Sequence, residues 1–579
     1  MQNAELAAAL DDVADLLELK GSNPFQIRAY RNAARTVESL SRSVAAMIRA
    51  GEDPAALPGV GARIAGYLRE LVETGTLATL EELRRSFPPG LVALTRLPGL
   101  GPKKAAALWT SLQLGSIDEL EAAIKDGRVA TVRGFGAASA AKLLEAIGAT
   151  REARERTLRT RAERLVAGIL TWMEGAPGLL EIQVAGSMRR RVETVADVDL
   201  LARAEGDGTP VVSHFAAFPG AARVEASGDT KGSIVLRSGL QVDLRVIPSE
   251  SWGAALHYFT GSKEHNVRIR QLAKKRGLEV SEWGVFRGEQ ESAERIAGAT
   301  EQDVFAALDL PWIPPELRED RGEFEAAARG ALPRLIELGD LKGDLQMHST
   351  WSDGRFTIEQ MALACRDLGY EYLAMTDHSG GALTMVNGLT AERARAQWAE
   401  IDEVRARVDG IRILRSMEVD VLEDGSLDMD DETLAGLDLV LVSVHSFMKM
   451  DGAAMTERVL KALRHPEVDI LGHPTGRMLS RRPPFAIDME AVLHAAAELD
   501  VAVEINASPN RLDLSDVHAF RARELGVRIV VSTDAHTKRE LENMRFGVDQ
   551  ARRAWCEAGH VLNTLPWKEF SAWLRRRAA

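Results

Sequence analysis

The chain has 579 residues, enough for about three to five domains that each bury a core. Its two cysteines, Cys365 and Cys556, are too few for a disulfide framework or a thiolate zinc site, so any metal must bind through His and carboxylates, and the chain fits a reducing compartment. An acidic N-terminus and the absence of an apolar run near roughly 18 residues argue against a signal peptide and a membrane span and leave the cytoplasm as the expected location, while a net charge of −13 argues only weakly against a nucleic-acid partner, because a basic groove can sit beside acidic domains.

Residues 4–20 and "NPFQIRAYRNAARTVESL" (23–40) have helical periodicity. A repeat follows: "LPGVGARIA" at 57, "LPGLGPKKA" at 97 and the looser "VRGFGAASA" at 132, each leading into a helical pattern. This is the form of a helix-hairpin-helix array. Gly59, Gly61, Gly99 and Gly101 permit a tight turn and a close backbone approach, so that N–H groups at the next helix start can hold a phosphate oxygen. Arg63, Lys103 and Lys104 add positive charge there. One G-x-G would read as an ordinary helix–helix turn, but the repetition points to contacts with a DNA backbone that position a duplex without reading its sequence.

From about residue 155 the pattern turns to strands: "LLEIQVAGS", "VDLLARA", "GSIVLRSG" and "LQVDLRVI". Asp197 and Asp199 stand two apart on a strand, so both carboxylates share a face, and Asp243 can join them from a neighbouring strand. Three converging carboxylates repel unless divalent cations lie between them, and Mg²⁺ takes such oxygens together with substrate phosphates. That is an arrangement for two-metal phosphoryl transfer. An exposed strand with alternating acids accounts for "DVD" alone. It does not account for "GSMRRR" ten residues upstream, where Gly186, Ser187 and Arg190 suit a triphosphate.

A mixed segment and more helix occupy 249–310, and "PWIPPELREDRGEFEAA" reads as a linker. After 340, short apolar strands alternate with helices: "YLAMTDH", "RILRSMEVDVL", "LDLVLVSVHS", "VDILGHP", "VAVEINAS" and "VRIVVSTDAH". Alternation of this kind implies a parallel sheet or barrel with its chemistry at the C-terminal strand ends. Those ends carry His348, Asp353, His378, Glu418, His445, His473, Asp534 and His536. The barrel opens on "GDLQMHST", where Asp344, His348 and the later Asp353 look like the start of a metal site. Gln346 stands on the same strand face, where a tight site would want a second imidazole. Neither cysteine has a nucleophile's neighbours.

"GSMRRRVETVADVDLL", "VDLRVIP", "HYFTGSKEHNVRIRQLAKKRGLEVSEWG" and the hairpins resemble the family X DNA polymerases over about 1–318. The resemblance implies Asp197, Asp199 and Asp243 as ligands of Mg²⁺ or Mn²⁺, and Ser187 with Arg190 on an incoming deoxynucleoside triphosphate. It also implies Tyr258, Phe259 and Gly261 along the sugar, Asn266 at the base, Arg270 near the template and a structural role for Glu282. Ala196 stands where that family often has Gly. Tyr67 stands where the animal enzyme has its Schiff-base lysine; a phenol cannot form an imine, so no lyase activity is expected from this position.

"DLQMHSTWSDG", "TDHS", "MEVDVL", "VHSF", "GHPTGR" and "STDAH" resemble the PHP phosphoesterase domain over about 341–556. This resemblance implies up to three Mn²⁺ or Zn²⁺ ions. One would take His348, Glu418 and Asp534, with Gln346 in place of a usual His. A second would take Glu418, His445 and His473, and a third Asp353, His378 and His536. An amide oxygen binds zinc more weakly than imidazole does, so the first ion should be held less tightly.

The expected fold is multidomain, α and α/β: hairpin domains at 1–85 and 86–154, a nucleotidyltransferase palm at 155–248, a thumb at 249–318, a linker at 319–340 and a distorted β/α PHP barrel at 341–579. The expected function is a monomeric DNA-repair polymerase that fills short gaps in gapped or nicked duplex DNA, is nucleoid-associated through that DNA, and is fused to a Mn²⁺-dependent 3'-to-5' exonuclease. Three rivals stand beside it. In one the barrel is a non-catalytic brace, which Gln346 favours and His445, His473 and His536 disfavour. In another the chain is a DNA-end-binding scaffold, against the complete Asp triad. In the third it is a small-molecule phosphatase with an attached nucleotidyltransferase, against the hairpins.

Overall fold

The computed structural model describes residues 3–575 except 41–43, 86, 88–90, 92–93, 95–96, 98–99, 101, 133, 137–138, 145–146, 148–155, 289–293 and 381–385. Two compact units result, 1–155 and 156–579. Among the described residues no helix is long and apolar enough to cross a membrane.

The first unit is helical. Asn23 caps the helix Pro24–Ser39 by accepting from the Phe25 N–H, with Pro24 at the first helical position. In the first hairpin, Gly59 lies in the left-handed region (φ +75°) and Gly61 is the N-cap of the helix Ala62–Thr74. A single apolar core runs from Leu6 to Ile147.

In the second unit, β1 (Thr157–Leu158) pairs with β3 (Thr194–Val195) beside a five-stranded sheet. That sheet contains β2 (Leu179–Val184), β4 (Asp197–Ala204), β5 (Ala221–Ser227), β6 (Lys231–Leu236) and β7 (Gln241–Val246), in the order β2-β4-β7-β6-β5. Alternating side chains of β4 and β7 give the sheet two apolar faces. Val198, Leu200 and Ala202 face the helices Arg159–Met173 and Thr209–Ala216, and Leu201 packs with Trp252 and Leu256 of the helix Trp252–Thr260 on the other side. A three-stranded antiparallel sheet follows, β8 (Leu278–Ser281), β9 (Gly284–Arg287) and β10 (Glu294–Ala297).

Residues 319–340, expected as a linker, are packed. Phe324 of the helix Glu323–Ala328, with Ala326, Ala327 and Leu335, is buried in one core with Phe305 and Leu308. Trp555, from the far end of the chain, sits in the same core.

The last part is a seven-stranded, all-parallel sheet of β11 (Gly343–Asp344), β12 (Tyr372–Met375), β13 (Arg412–Asp420), β14 (Leu439–Ser443), β15 (Ile470–Leu471), β16 (Ala502–Asn506) and β17 (Ile529–Ser532), in that order. The sheet bends until its ends meet: the Asp534 N–H donates to the Gln346 carbonyl (3.0 Å) and the His348 N–H to the Ala535 carbonyl (2.9 Å). Leu345, Ala374, Leu414, Leu441, Ala502 and Val530 share a core that the C-terminal helix Trp567–Leu574 plugs, with Phe570 stacked on Tyr372 at 4.4 Å.

Gly253 shows how tightly the second unit is packed. A Cβ there would stand 1.9 Å from the Thr300 carbonyl carbon and 2.4 Å from the Glu301 N, both backbone atoms that cannot swing away. Gly253→Ala is therefore expected to cost at least about 3 kcal/mol and lower the unfolding temperature by several degrees in thermal denaturation. Gly168→Ala, in the helix Arg159–Met173 with nothing within 4 Å of the added carbon, should stabilise by roughly 0.5–1 kcal/mol in the same measurement.

Candidate active sites

Parallel pairing of β4 with β7 places Asp199 directly opposite Asp243, and Asp197 lies two residues earlier on the same face of β4. Burial, then the charges of Asp197 and Asp243, push the Asp199 carboxyl up to about 6. Asp197 is raised in the same direction, by burial and then by Asp243. Carboxylates held against one another in this way fit divalent cations, which would remove the repulsion. Gly186 brings the neighbouring backbone close: its φ is +61°, and a Cβ there would stand 2.5 Å from the Asp199 carboxylate.

Ser187 follows Gly186 in the short helix Gly186–Arg189, and Arg190 ends it. The Arg190 side chain crosses to the next domain, donating from Nη1 to the Thr260 carbonyl (2.8 Å) and from Nε to Glu319 (3.0 Å). Tyr258 and Phe259 end the helix Trp252–Thr260 in an edge-to-face pair at 5.1 Å. Gly261 is needed beside them, because a Cβ would meet the Asn266 Oδ1 and His265 ring carbon at 2.7 Å. Asn266 donates to the Tyr258 carbonyl (2.6 Å) and stands with the exposed Arg270 on the helix Lys263–Lys275. Glu282 sits in the turn between β8 and β9. Sequence reasoning missed Arg245, two residues after Asp243 on β7, which lies 4.7 Å over the Phe259 ring and acts electrostatically on Asp199. Its signal was the same period of two that found the aspartates.

In the first unit Arg63 and Lys104 are exposed near the hairpins, whereas Gly99, Gly101 and the Lys103 side chain lie outside the described residues. Tyr67 is half-buried, with its ring stacked on Tyr30 at 6.1 Å and its hydroxyl accepting from Thr79.

At the C-terminal rim of the barrel, Glu418 stands at the centre. His473 Nε2 lies 2.9 Å and His445 Nε2 3.2 Å from its Oε1, while His378 Nδ1 lies 3.3 Å and His348 Nε2 3.4 Å from its Oε2. His348 also reaches Asp534 at 3.1 Å, and His536 reaches Asp353 at 3.2 Å. Three groups hold ligand atoms within 4.8 Å of one another: His348, Glu418 and Asp534; His378, Glu418 and His445; and His348, Asp353, His378 and His536. The first repeats the expected set, the second has His378 where His473 was expected, and the third adds His348.

The environment of these residues fits cations. Among the described residues, the Nδ1 atoms of His348, His378, His445 and His473 and the Glu418 Oε2 are buried without a well-formed hydrogen bond, although His378 Nδ1 and the Glu418 Oε2 lie 3.3 Å apart; a buried polar atom left so costs about 1–3 kcal/mol unless something else satisfies it. Burial opposes the Glu418 charge, but His378 and His445 outweigh it and hold the carboxyl well below its usual range. His473 (φ +25°) and Asp534 (φ +54°) both hold strained backbone at this rim.

Asp344, by contrast, is turned away. It is fully buried and accepts from the Thr533 N–H (3.1 Å) and hydroxyl, so it braces the strand that presents Asp534. Gln346 is buried too; its oxygen accepts from Asn506 (3.4 Å) and its Nε2 has no hydrogen-bond partner among the described residues. Three acids that the motif search passed over orient the ligands. Asp377 binds the Ser349 and Ser352 hydroxyls, Asp420 accepts from the His445 N–H, and Glu504 accepts from the His473 N–H. Asp377 and Asp420 stand beside His378 and Glu418 in stretches already quoted for those residues, whereas Glu504 lies on β16, which carries none of the expected ligands.

Family models match as helix-hairpin-helix domain (1–77), SAM-like helix-hairpin-helix tandem (91–149), DNA polymerase beta thumb (255–319) and PHP domain (344–508). The DNA polymerase/3'-5' exonuclease PolX of Bacillus subtilis (strain 168) is 40% identical over 578 residues, covering 100% of both chains. The chain belongs to the family X DNA polymerases with a C-terminal PHP domain. The chain is also 30% identical, over 220 residues, to a probable phosphatase of Thermoanaerobacter sp. (strain X514), covering 36% of this chain and 84% of that one. A probable phosphatase of Shewanella sp. (strain ANA-3) is 33% identical, over 29% and 69%.

Gln346→His would add an imidazole to the group of His348, Glu418 and Asp534. In calorimetric titration with Mn²⁺ the weakest barrel site should then tighten about tenfold, while His378→Ala should weaken two of the three groups at once.

Proposed function

We propose that this family X chain is a DNA-directed polymerase that fills short gaps during DNA repair, with a PHP barrel that removes nucleotides from 3' ends in the 3'-to-5' direction. The observation that carries the reading is the coexistence of two converging sets of metal-binding side chains in one chain: three carboxylates beside Gly186, and a buried His-rich pocket around Glu418. The full-length similarity to an exonuclease-polymerase supports it.

Asp197, Asp199 and Asp243 would hold Mg²⁺ or Mn²⁺, and the groups around Glu418 would hold Mn²⁺ or Zn²⁺. Divalent cations, when bound, neutralise phosphate charge and lower the barrier to attack on phosphorus. The chain supplies the rest. Ser187, the backbone at Gly186 and Arg190 receive the triphosphate, so that the 3'-oxygen of the primer bonds to the α-phosphorus as pyrophosphate leaves. Tyr258, Phe259 and Gly261 form a wall for the sugar, Asn266 meets the base edge and Arg270 the template strand. The hairpins at Gly59 and, by sequence, at Gly99 and Gly101 hold duplex phosphates through backbone N–H groups, with Arg63, Lys103 and Lys104 adding charge. In the barrel, water cleaves the terminal phosphodiester and releases a nucleoside 5'-monophosphate. A nuclease that clears a damaged end leaves the 3'-hydroxyl that synthesis requires.

The test uses a labelled gapped duplex. Asp199→Asn should lower gap filling by at least a hundredfold and leave 3'-end degradation in Mn²⁺ intact, and His473→Ala should do the reverse. A native chain that degrades no 3' end, with activity appearing only in Gln346→His, would reduce the barrel to a brace. Loss of neither activity in Asp199→Asn would reject the assignment of the palm.

A further inference from the structure

The helix Met544–Arg553 belongs to the barrel, yet its last residue reaches the palm's triphosphate segment. Arg553 is 5% exposed. Its Nη1 donates both to the Arg190 carbonyl (2.9 Å) and to Glu319 Oε1 (2.9 Å), and its Nη2 donates to Asp516 (2.8 Å). The Glu319 oxygen that receives Arg553 is the one that receives Arg190 Nε at 3.0 Å. Arg190 is thus held at its Nε by Glu319, at its Nη1 by the Thr260 carbonyl and at its own carbonyl by Arg553, while its Nη2 makes no hydrogen bond among the described residues.

We propose that Arg553 of the barrel, acting through Glu319, is a positioning residue for nucleotide incorporation: it fixes the guanidinium of Arg190 so that its open edge meets the incoming triphosphate. The inference rests on the polymerase reading of Arg190. A long arginine side chain loses rotamer freedom when it binds, and a frame that orders it beforehand removes that cost from nucleotide binding. Two arginines on one carboxylate oxygen also limit how strongly Glu319 competes with a triphosphate for Arg190. Arg553 has no reach to the phosphates in this scheme; it acts on them only through Arg190.

The seam offers its own control. Arg545, on the same helix, pairs with Glu163 at 2.8 Å and touches neither Arg190 nor Glu319. Removing it tests what loosening the barrel against the palm does by itself.

Single-nucleotide gap filling by the full chain, with kcat and KM for the deoxynucleoside triphosphate, tests the proposal, and 3'-end degradation and circular dichroism report folding. Arg553→Gln and Glu319→Gln are each expected to raise KM about tenfold with kcat changed less than threefold, while Arg545→Ala leaves KM within about twofold. In an Arg190→Ala background Arg553→Gln should add nothing further, because the group it positions is gone. Should Arg553→Gln fail to fold, Arg553→Lys, which keeps the charge but not the hydrogen bonds to both Arg190 and Glu319, takes its place with the same expected rise in KM, because Glu319 also holds Arg190 directly. An unchanged KM in the folded variants, or an undiminished effect of Arg553→Gln without Arg190, overturns the positioning role. An unchanged KM in Arg190→Ala itself would instead overturn the triphosphate reading on which this inference stands.

Discussion

The second unit of this chain depends on a seam of arginines and carboxylates along the helix Met544–Arg553. Asp549 pairs with Arg159 at 2.8 Å and accepts from Arg191, and Glu316 pairs with Arg191 at 2.9 Å and accepts from Arg552 at 2.9 Å. Arg477 grips Glu193 through two hydrogen bonds at 2.7 and 3.1 Å. Burial works against charge on Glu316, Glu319 and Asp516, but the arginines facing them outweigh it and hold all three carboxyls below the usual range. Breaking one partner out of such a pair costs about 3–5 kcal/mol, because the other charge is left buried and alone. A seam of this kind contributes less to net stability than to uniqueness, since few other ways of docking two surfaces would pair every charge.

Apolar packing continues the same joint. Trp555 of the barrel lies in one core with Phe305, Leu308 and Phe324, and Phe520 packs against it. The carboxylates that would hold metal on β4 and the imidazoles at the barrel rim therefore belong to a single packed body of 156–579.

Each site is built by strand geometry. In the palm, the direct pairing of Asp199 with Asp243 gathers three carboxylates, and the missing Cβ of Gly186 lets a backbone segment lie against them. In the barrel, parallel strands all point their C-terminal ends to one rim, so ligands far apart in sequence arrive within 4.8 Å. Asp377, Asp420 and Glu504 then fix the loops that carry the ligands.

Much of this was legible in the residues alone. Alternation marks every barrel strand, the period of two puts Asp197 and Asp199 on one face, and repeated glycine turns announce the hairpins. These are local properties, and local sterics and burial decide them. Tertiary structure decided what depends on distant partners. Asp344 shares a strand face with His348 in the sequence pattern, but Thr533, almost two hundred residues away, takes its carboxylate. Residues 319–340 have a linker's prolines and charges, and only the core around Phe305 shows that Phe324 is buried. His378 joins Glu418 and His445 because the parallel pairing of neighbouring strands sets it directly opposite Glu418. The docking of the barrel was invisible for the same reason: an arginine on a helix reads as a solvated charge until the carboxylate it meets, some 230 residues earlier for Arg553 and Glu319, is folded against it.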